Sequence, residues 1–238
     1  MSTNVLAIVQ ARSSSNRFPR KVLSDLHGAP MVLRQLERIS RCARLDQVVV
    51  ATSMESSDDE LVEVLKAQNV NVRRGPLANV FLRFSQVIDE FSPQHVVRLT
   101  ADCPLADPQV IDDLVDLHIS SGADYSSNVL ERTFPHGLDV ECATREVFSR
   151  LANMSLTDQE REHVTLGIYA RPKEFSVSSL TQQIDNSGLR WTVDYPADLD
   201  FVRSVYRALY DTNPSFTTQD VLELLDTNPE LRHTNESI

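Results

Sequence analysis

Short apolar runs rich in β-branched residues recur along the chain and predict strands at residues 5–10, 47–51, 71–73 and 95–100. Between them apolar positions return at three- and four-residue spacing: Val32, Leu36, Ile39 and Ala43, then Leu61, Val64 and Leu65, then Val80, Phe84, Val87, Ile88 and Phe91. Each set falls on one face of a helix. Strands alternating with helices imply right-handed crossovers, so the pattern predicts an α/β fold with a mostly parallel sheet covered on both faces. Farther on, a helix is predicted at 110–120, and Leu138, Val140 and Cys142 alternate with Asp139 and Glu141 as on a half-buried strand. The stretch TDQEREHVTLGIYARP reads as a helix capped by Thr157 or Asp158 and ended before Pro172. LRWTVDYPADLDFVRSVYRALY reads as a strand, a turn and a helix beginning near Pro196, a residue suited to a first helical turn. The tail from about 211 to 238 offers one short helix and a polar end. No repeat, low-complexity block or linker interrupts the chain, so one domain over 1–238 is expected.

Composition adds limits. The 238 residues are 41% hydrophobic and 24% charged, and no run approaches the roughly 20 apolar residues of a membrane span. The opening MSTNVLAIVQ has no basic start, long apolar stretch or small-residue cleavage site, so a cytoplasmic protein is expected. Cys42, Cys103 and Cys142 are far apart and show no C-x-x-C spacing, which argues against a disulfide framework and a zinc site. A formal net charge of −11 disfavours extended contact with nucleic acid or an anionic membrane.

Against that acidic background, VQARSSSNRFPRKVL stands out. Arg12, Arg17, Arg20 and Lys21 repel one another in a compact loop unless an anion lies among them; a solvated basic loop is the other reading. A loop that follows a strand of a parallel sheet lies where ligands bind, and it can turn amides and cationic side chains toward phosphate. Asp102 in RLTADCP and Asp194 in WTVDYPADL each follow an apolar run. Carboxylates at the carboxyl edge of a sheet suit a hard cation such as Mg²⁺, and equally a helix cap or turn. Asp139 and Glu141, as i and i+2 of a strand, point to one face, suited to sugar hydroxyls or a second metal. His136 beside Gly137, and Arg161 and His163 on the predicted helix, suit an anionic or hydroxyl-rich ligand.

Four segments, VQARSSSNRFPRKVL, VVVATS, VRLTADCPLADPQVI and LRWTVDYPADLDFVRSVY, resemble the cytidylyltransferase family, and within it the branch named after the spore-coat polysaccharide biosynthesis protein SpsF. ADYSSN, FPHGLDVE, EREHVT and DVLELLDTNPEL match in the same order, so the resemblance spans nearly the whole chain. It implies a Rossmann-like nucleotidyltransferase fold, the one also used by nucleotide-diphospho-sugar transferases. It implies transfer of CMP from CTP to a sugar acid or sugar-like acceptor for surface glycans, with release of pyrophosphate. Arg12, Arg17 and Lys21 match positions used around the triphosphate, and Gln10, Ala11 and Ser15 share that segment. Ala11, Arg74, Arg98 and Thr100 match by position for the base. Asp102 and Asp194 match the Mg²⁺ carboxylates, and Lys21, Arg12, Asp102 and Asp194 are the catalytic set so implied. His136, Asp139, Glu141, Arg161 and His163 fall on the acceptor side, and a homodimer is the implied assembly. The chain departs from the family pattern at Ser14, Arg20 and Ala101, where glycine is usual, and at Asn79, where an acid is common. A glycosyltransferase using a nucleotide sugar, and a nucleotide-binding module without turnover, are the alternatives.

Overall fold

The computed structural model describes residues 4–233. In chain order these form β1 (Val5–Gln10), a hairpin of β2 (Asp25–Leu26) and β3 (Ala29–Pro30), α1 (Met31–Ile39), β4 (Gln47–Ser53) and α2 (Asp59–Ala67). There follow β5 (Asn71–Gly75), α3 (Val80–Phe91), β6 (His95–Thr100), α4 (Pro108–Ser121), β7 (Tyr125–Ser127), β8 (Glu141–Thr144) and α5 (Arg145–Ala152). The remainder is α6 (Asp158–Glu162), α7 (Leu166–Tyr169), β9 (Val177–Ser179), α8 (Pro196–Leu209), α9 (Thr218–Thr227) and α10 (Pro229–His233).

The main sheet has the order β5-β4-β1-β6-β8-β7-β9. Strands β5, β4, β1 and β6 are mutually parallel, β8 runs antiparallel to both of its neighbours, and β7 and β9 pair in parallel. This is the expected Rossmann-like α/β arrangement, a mostly parallel mixed sheet with helices on both faces. Strand β1 is central, and its side chains alternate between two cores. Val5, Ala7 and Val9 join Val97, Leu99 and residues of α1, α4, α8 and α9 on one face, while Leu6 and Ile8 join α3, α5 and α7 on the other. Burial on both faces is why the run carries no polar alternation.

Several local predictions differ from the structure. Strand β4 continues past Ala51 through Thr52 and Ser53, polar residues kept fully buried by hydrogen bonds to the Asp58 carboxylate. The single helix expected from Thr157 is two, α6 and α7, separated at Val164, whose φ of 27° no regular helix has and whose side chain is buried. Thr157 is the cap, with Glu160 completing a capping box. Among the described residues the segment 189–193 joins no named strand of the sheet, and its Arg190 bridges in parallel to His136. Its amides serve loops instead: those of Trp191 and Thr192 donate to the His136 carbonyl and that of Val193 to the Asp102 carbonyl. The alternating run at Leu138–Cys142 enters the sheet only from Glu141, so Asp139 stands outside β8. In the tail, α9 packs Val221 and Leu225 into the core and α10 follows; the polar end at 234–238 lies outside the described residues.

Candidate active site

The loop after β1 is shaped by one carbonyl and one carboxylate. Ser13 C=O accepts the amides of Ser15 and Arg20 (3.0 and 2.8 Å), closing residues 13–20 on themselves. Ser13 N–H in turn donates to Asp58 Oδ1 at 2.6 Å, which pins the loop to the turn after β4. Arg20 takes the left-handed conformation (φ 62°, ψ 16°) that glycine reaches without strain, and its guanidinium lies on exposed Glu60. This turn starts the short 3₁₀ helix Lys21–Leu23 and directs Lys21 inward, leaving it 7% exposed.

Lys21 Nζ lies 3.1 Å from Asp102 Oδ2, 3.0 Å from Asp194 Oδ1 and 2.7 Å from the Val193 carbonyl. Arg17 Nη2 reaches the same Asp194 Oδ1 at 2.7 Å, and Arg190 Nη2 reaches Oδ2 at 3.0 Å. Burial alone raises the Asp194 carboxyl, but the hydrogen bond and charge of Lys21, with Arg190 and Arg17, outweigh it and hold the group below its usual value. Asp102 Oδ1 accepts Thr100 Oγ1 at 2.6 Å. Adjacent Cys103 is buried, and burial together with the Asp102 charge pushes its thiol well above the ordinary range, so it is no ready nucleophile. Backbone pairing explains the convergence. Gln10 and Thr100 are neighbours at the ends of β1 and β6, and Val193 N–H to Asp102 C=O (2.8 Å) brings the turn holding Asp194 alongside. Three of the four loop cations are thus paired within the fold: Lys21 with Asp102 and Asp194, Arg17 with Asp194, and Arg20 with Glu60.

A cleft of about 170 Å³ at the carboxyl ends of β1 and β6 is lined by Gln10, Ala11, Arg12, Ser15, Arg17, Lys21, Thr100, Asp102 and Asp194, together with Val22 and Ala101. Residues proposed from separate segments of the sequence meet there. A larger cavity of about 770 Å³ lies between α8 and the C-terminal helices, with no Lys or Arg among its described lining residues. The other predicted residues lie elsewhere. Arg74 is engaged at the end of β4, bonded to Ser53 O, Glu55 O and Asp59, and does not line the cleft. Arg98 pairs with Glu141 and donates to Gln10 Oε1 (3.2 Å), while Tyr125 Oη donates to Glu141 Oε2 at 2.7 Å. Burial and the Glu141 charge raise the Tyr125 phenol. Asp139 and Glu141 have separate partners: Asp139 is held by Arg132 at 2.6 and 3.1 Å. His136 is exposed, with Nε2 3.7 Å from Asp139 Oδ2. Arg161 on α6 and His163 just past it are exposed and do not line the cleft; Arg161 pairs with Asp158 at 3.4 Å.

Sequence reasoning missed Asp58, Arg190 and Asp198. Asp58 stands beside Asp59 just before α2, with no local feature that sets it apart. Asp198, three residues after Tyr195, sits where a capping acid belongs and accepts the Tyr195 amide at 2.9 Å, a signal legible in DYPAD.

The family model for cytidylyltransferases matches residues 6–215. The chain is 30% identical over 234 residues to the spore coat polysaccharide biosynthesis protein SpsF of Bacillus subtilis (strain 168), covering 95% of this chain and 96% of that protein. It superposes with a TM-score of 0.91 on a cytidylyltransferase from Leptospira borgpetersenii serovar Hardjo-bovis (strain JB197), at 27% identity over 100% of this chain and 99% of that one. A CMP:2-keto-3-deoxy-manno-octonic acid synthetase complexed with CTP matches at TM-score 0.67 and 16% identity, covering 87% and 99%, a likeness of fold.

Proposed function

The chain belongs to the cytidylyltransferase family, and from that premise we propose that it transfers CMP from CTP to a sugar acid or related acceptor for glycan synthesis, releasing pyrophosphate. The observation that carries the proposal is the meeting of Lys21 with Asp102 and Asp194 in a cleft whose rim bears Arg12 and Arg17. An acceptor oxygen attacks the α-phosphorus of CTP, the bond to the β-phosphate oxygen breaks, and pyrophosphate departs. Such a transfer needs positioning and charge more than covalent help. Lys21, a compact ammonium, stabilises charge building at the α-phosphate and the leaving group, while the Arg12 and Arg17 guanidiniums clamp outer phosphate oxygens. Gln10, Ala11, Ser15 and Thr100 line the nucleotide side. Arg98 orients Gln10 there, and Arg74 supports the end of β4.

The donor set fits a hard divalent cation: two carboxylates from separate segments lie within 3.1 Å of one cationic nitrogen. Among the described residues no group of three or more His, Cys, Asp or Glu forms a metal cage. Asp102 and Asp194 would therefore hold Mg²⁺ together with phosphate oxygens and water. Bound there, the ion neutralises phosphate charge as a Lewis acid. His136, Asp139, Glu141, Arg161 and His163 are proposed for the acceptor side. The synthetase solved with CTP acts in 2-keto-3-deoxy-manno-octonic acid chemistry, which supports CTP and an acidic sugar here. A single domain, a homodimer and a cytoplasmic location accompany the proposal; no helix among the described residues is long and apolar enough to cross a membrane.

The test is pyrophosphate release from CTP, ATP, GTP and UTP with Mg²⁺ and a panel of sugar acids. CTP is expected to stand out, both in turnover and in a thermal-shift screen, where a nucleotide at one hundred times its Kd adds about 2.7 kcal/mol. Turnover retained by Asp102→Asn, or equal response to all four nucleotides, overturns the proposal.

A further inference from the structure

The two oxygens of Asp194 face different surroundings. Oδ1 lies on Lys21 (3.0 Å) and Arg17 (2.7 Å), both lining the cleft, whereas Oδ2 lies 3.0 Å from Arg190 Nη2. The guanidinium is itself fixed by Asp198, with Nε 3.2 Å from Oδ1 and Nη2 3.2 Å from Oδ2. The same Asp198 carboxylate accepts the amides of Asp194 and Tyr195 at 2.7 and 2.9 Å. One acid at the start of α8 therefore sets both the backbone that carries Asp194 and the cation that occupies its second oxygen. A planar fork can hold two acids at once in this way, and a lysine ammonium cannot do so with the same geometry.

We propose that Arg190 determines which divalent cation the site accepts. By occupying Oδ2 it restricts Asp194 to donating one oxygen toward the cleft. A single oxygen per carboxylate suits Mg²⁺, which demands a near-ideal octahedron, and Mn²⁺, which also takes octahedral oxygen sites, and disfavours Ca²⁺, which takes six to eight oxygens and often both from one carboxylate. The inference rests on the proposal that Asp102 and Asp194 hold the cation.

Mn²⁺ binding is titrated by electron paramagnetic resonance and Ca²⁺ binding by competition, with a fixed concentration of a non-hydrolysable CTP analogue in every sample. The analogue's own affinity for each ion is then common to all titrations. Arg190→Met is expected to raise Ca²⁺ affinity relative to Mn²⁺ by about tenfold, and Arg190→Lys, which can serve only one of the acids well, to fall between it and the wild type. Circular dichroism establishes that each variant is folded; if Arg190→Met is not, Arg190→Lys decides. An unchanged Ca²⁺/Mn²⁺ ratio in the folded variants overturns the inference. Asp194→Asn separates the two levels. Wild-type Mn²⁺ binding in that variant removes the metal proposal itself, whereas weakened binding alongside an unchanged ratio in the Arg190 variants removes only the role of Arg190.

Discussion

Gly137 governs the placement of a carboxylate it never touches. Its φ is 112°, and a Cβ added there would stand 2.4 Å from Thr192 N and 2.5 Å from Trp191 C. The 189–193 segment must approach this closely because the His136 carbonyl accepts the amides of both Trp191 and Thr192. Gly137→Ala is therefore expected to cost about 2 to 4 kcal/mol and to move the turn that holds Asp194, lowering turnover in the molecules that remain folded. Urea denaturation alongside steady-state rates checks this; a variant of wild-type stability contradicts the steric account. Lys21 acts differently, by charge. Replacing it with methionine keeps much of the apolar stem but leaves Asp102 without its ammonium partner and Asp194 with only its arginines. Loss of a preorganised charge at the reacting phosphate is expected to lower kcat by about 10²- to 10³-fold, with a smaller change in the KM for CTP. Equal loss through KM alone would make Lys21 an anchor of the ground-state nucleotide.

At the scale of elements, the loop after β1 owes its path to the 3₁₀ turn Ser56–Asp58 that precedes α2. Asp58 is fully buried and accepts Ser13 N–H, Ser53 N–H, Ser53 Oγ and Thr52 Oγ1. Burial raises this carboxyl, yet those donors together hold it below its usual value. Asp58→Asn turns an amide N–H₂ toward groups that are themselves donors. The expected result is a loss of about 3 kcal/mol and a KM for CTP raised more than kcat is lowered, since the loop presenting Arg12, Ser15 and Arg17 loses its tether. Unaltered KM in a folded variant would detach Asp58 from nucleotide binding. This tether also marks where the sequence stops being legible. Strands β1 and β6 follow from their composition because burial on both faces demands an apolar run. The basic loop and the two aspartates are legible too, since charge beside an apolar strand end is a local signal. The end of β4 is not, because Thr52 and Ser53 look like a turn until Asp58 supplies their partner. Nor is the break at Val164, or the diversion of 189–193 into loop pairing. Arg190 and Asp58 are invisible for the same reason: a buried polar group is defined by partners that only the tertiary fold brings near.

For the molecule as a whole, the response to acid separates stability from catalysis. His118 on α4 is 1% exposed, with Nδ1 3.0 Å from Ser126 Oγ and its ring 5.0 Å from that of His95, edge to face. Burial first, then the neighbouring His95, lowers His118 to about 4, against a partial opposing pull from Asp124. His95 is likewise lowered by burial. The folded protein thus binds fewer protons at His118 than the unfolded chain, whose histidines titrate near 6.5. Stability accordingly rises with pH across that interval and is lost as pH falls from about 6.5 toward 4, by roughly 3 kcal/mol from His118 at the lower end. Asp58 and Asp194, held below the usual carboxylate range, and Glu160, held at about 2 chiefly by its hydrogen bond from Arg171, extend the loss to still lower pH. Because their folded values are depressed, the stability they add is present above the unfolded carboxylate value and disappears as pH drops through the folded one. His95 begins β6 and Thr100 ends it, so the histidine pair stands about 16 Å of strand from the cleft. The midpoint of denaturant unfolding is expected to rise with pH between 4 and 7, and His118→Gln to flatten that dependence. Turnover at a pH where both proteins are folded should remain alike. A His118→Gln profile parallel to the wild type would place the acid sensitivity in His95 and the carboxylates instead.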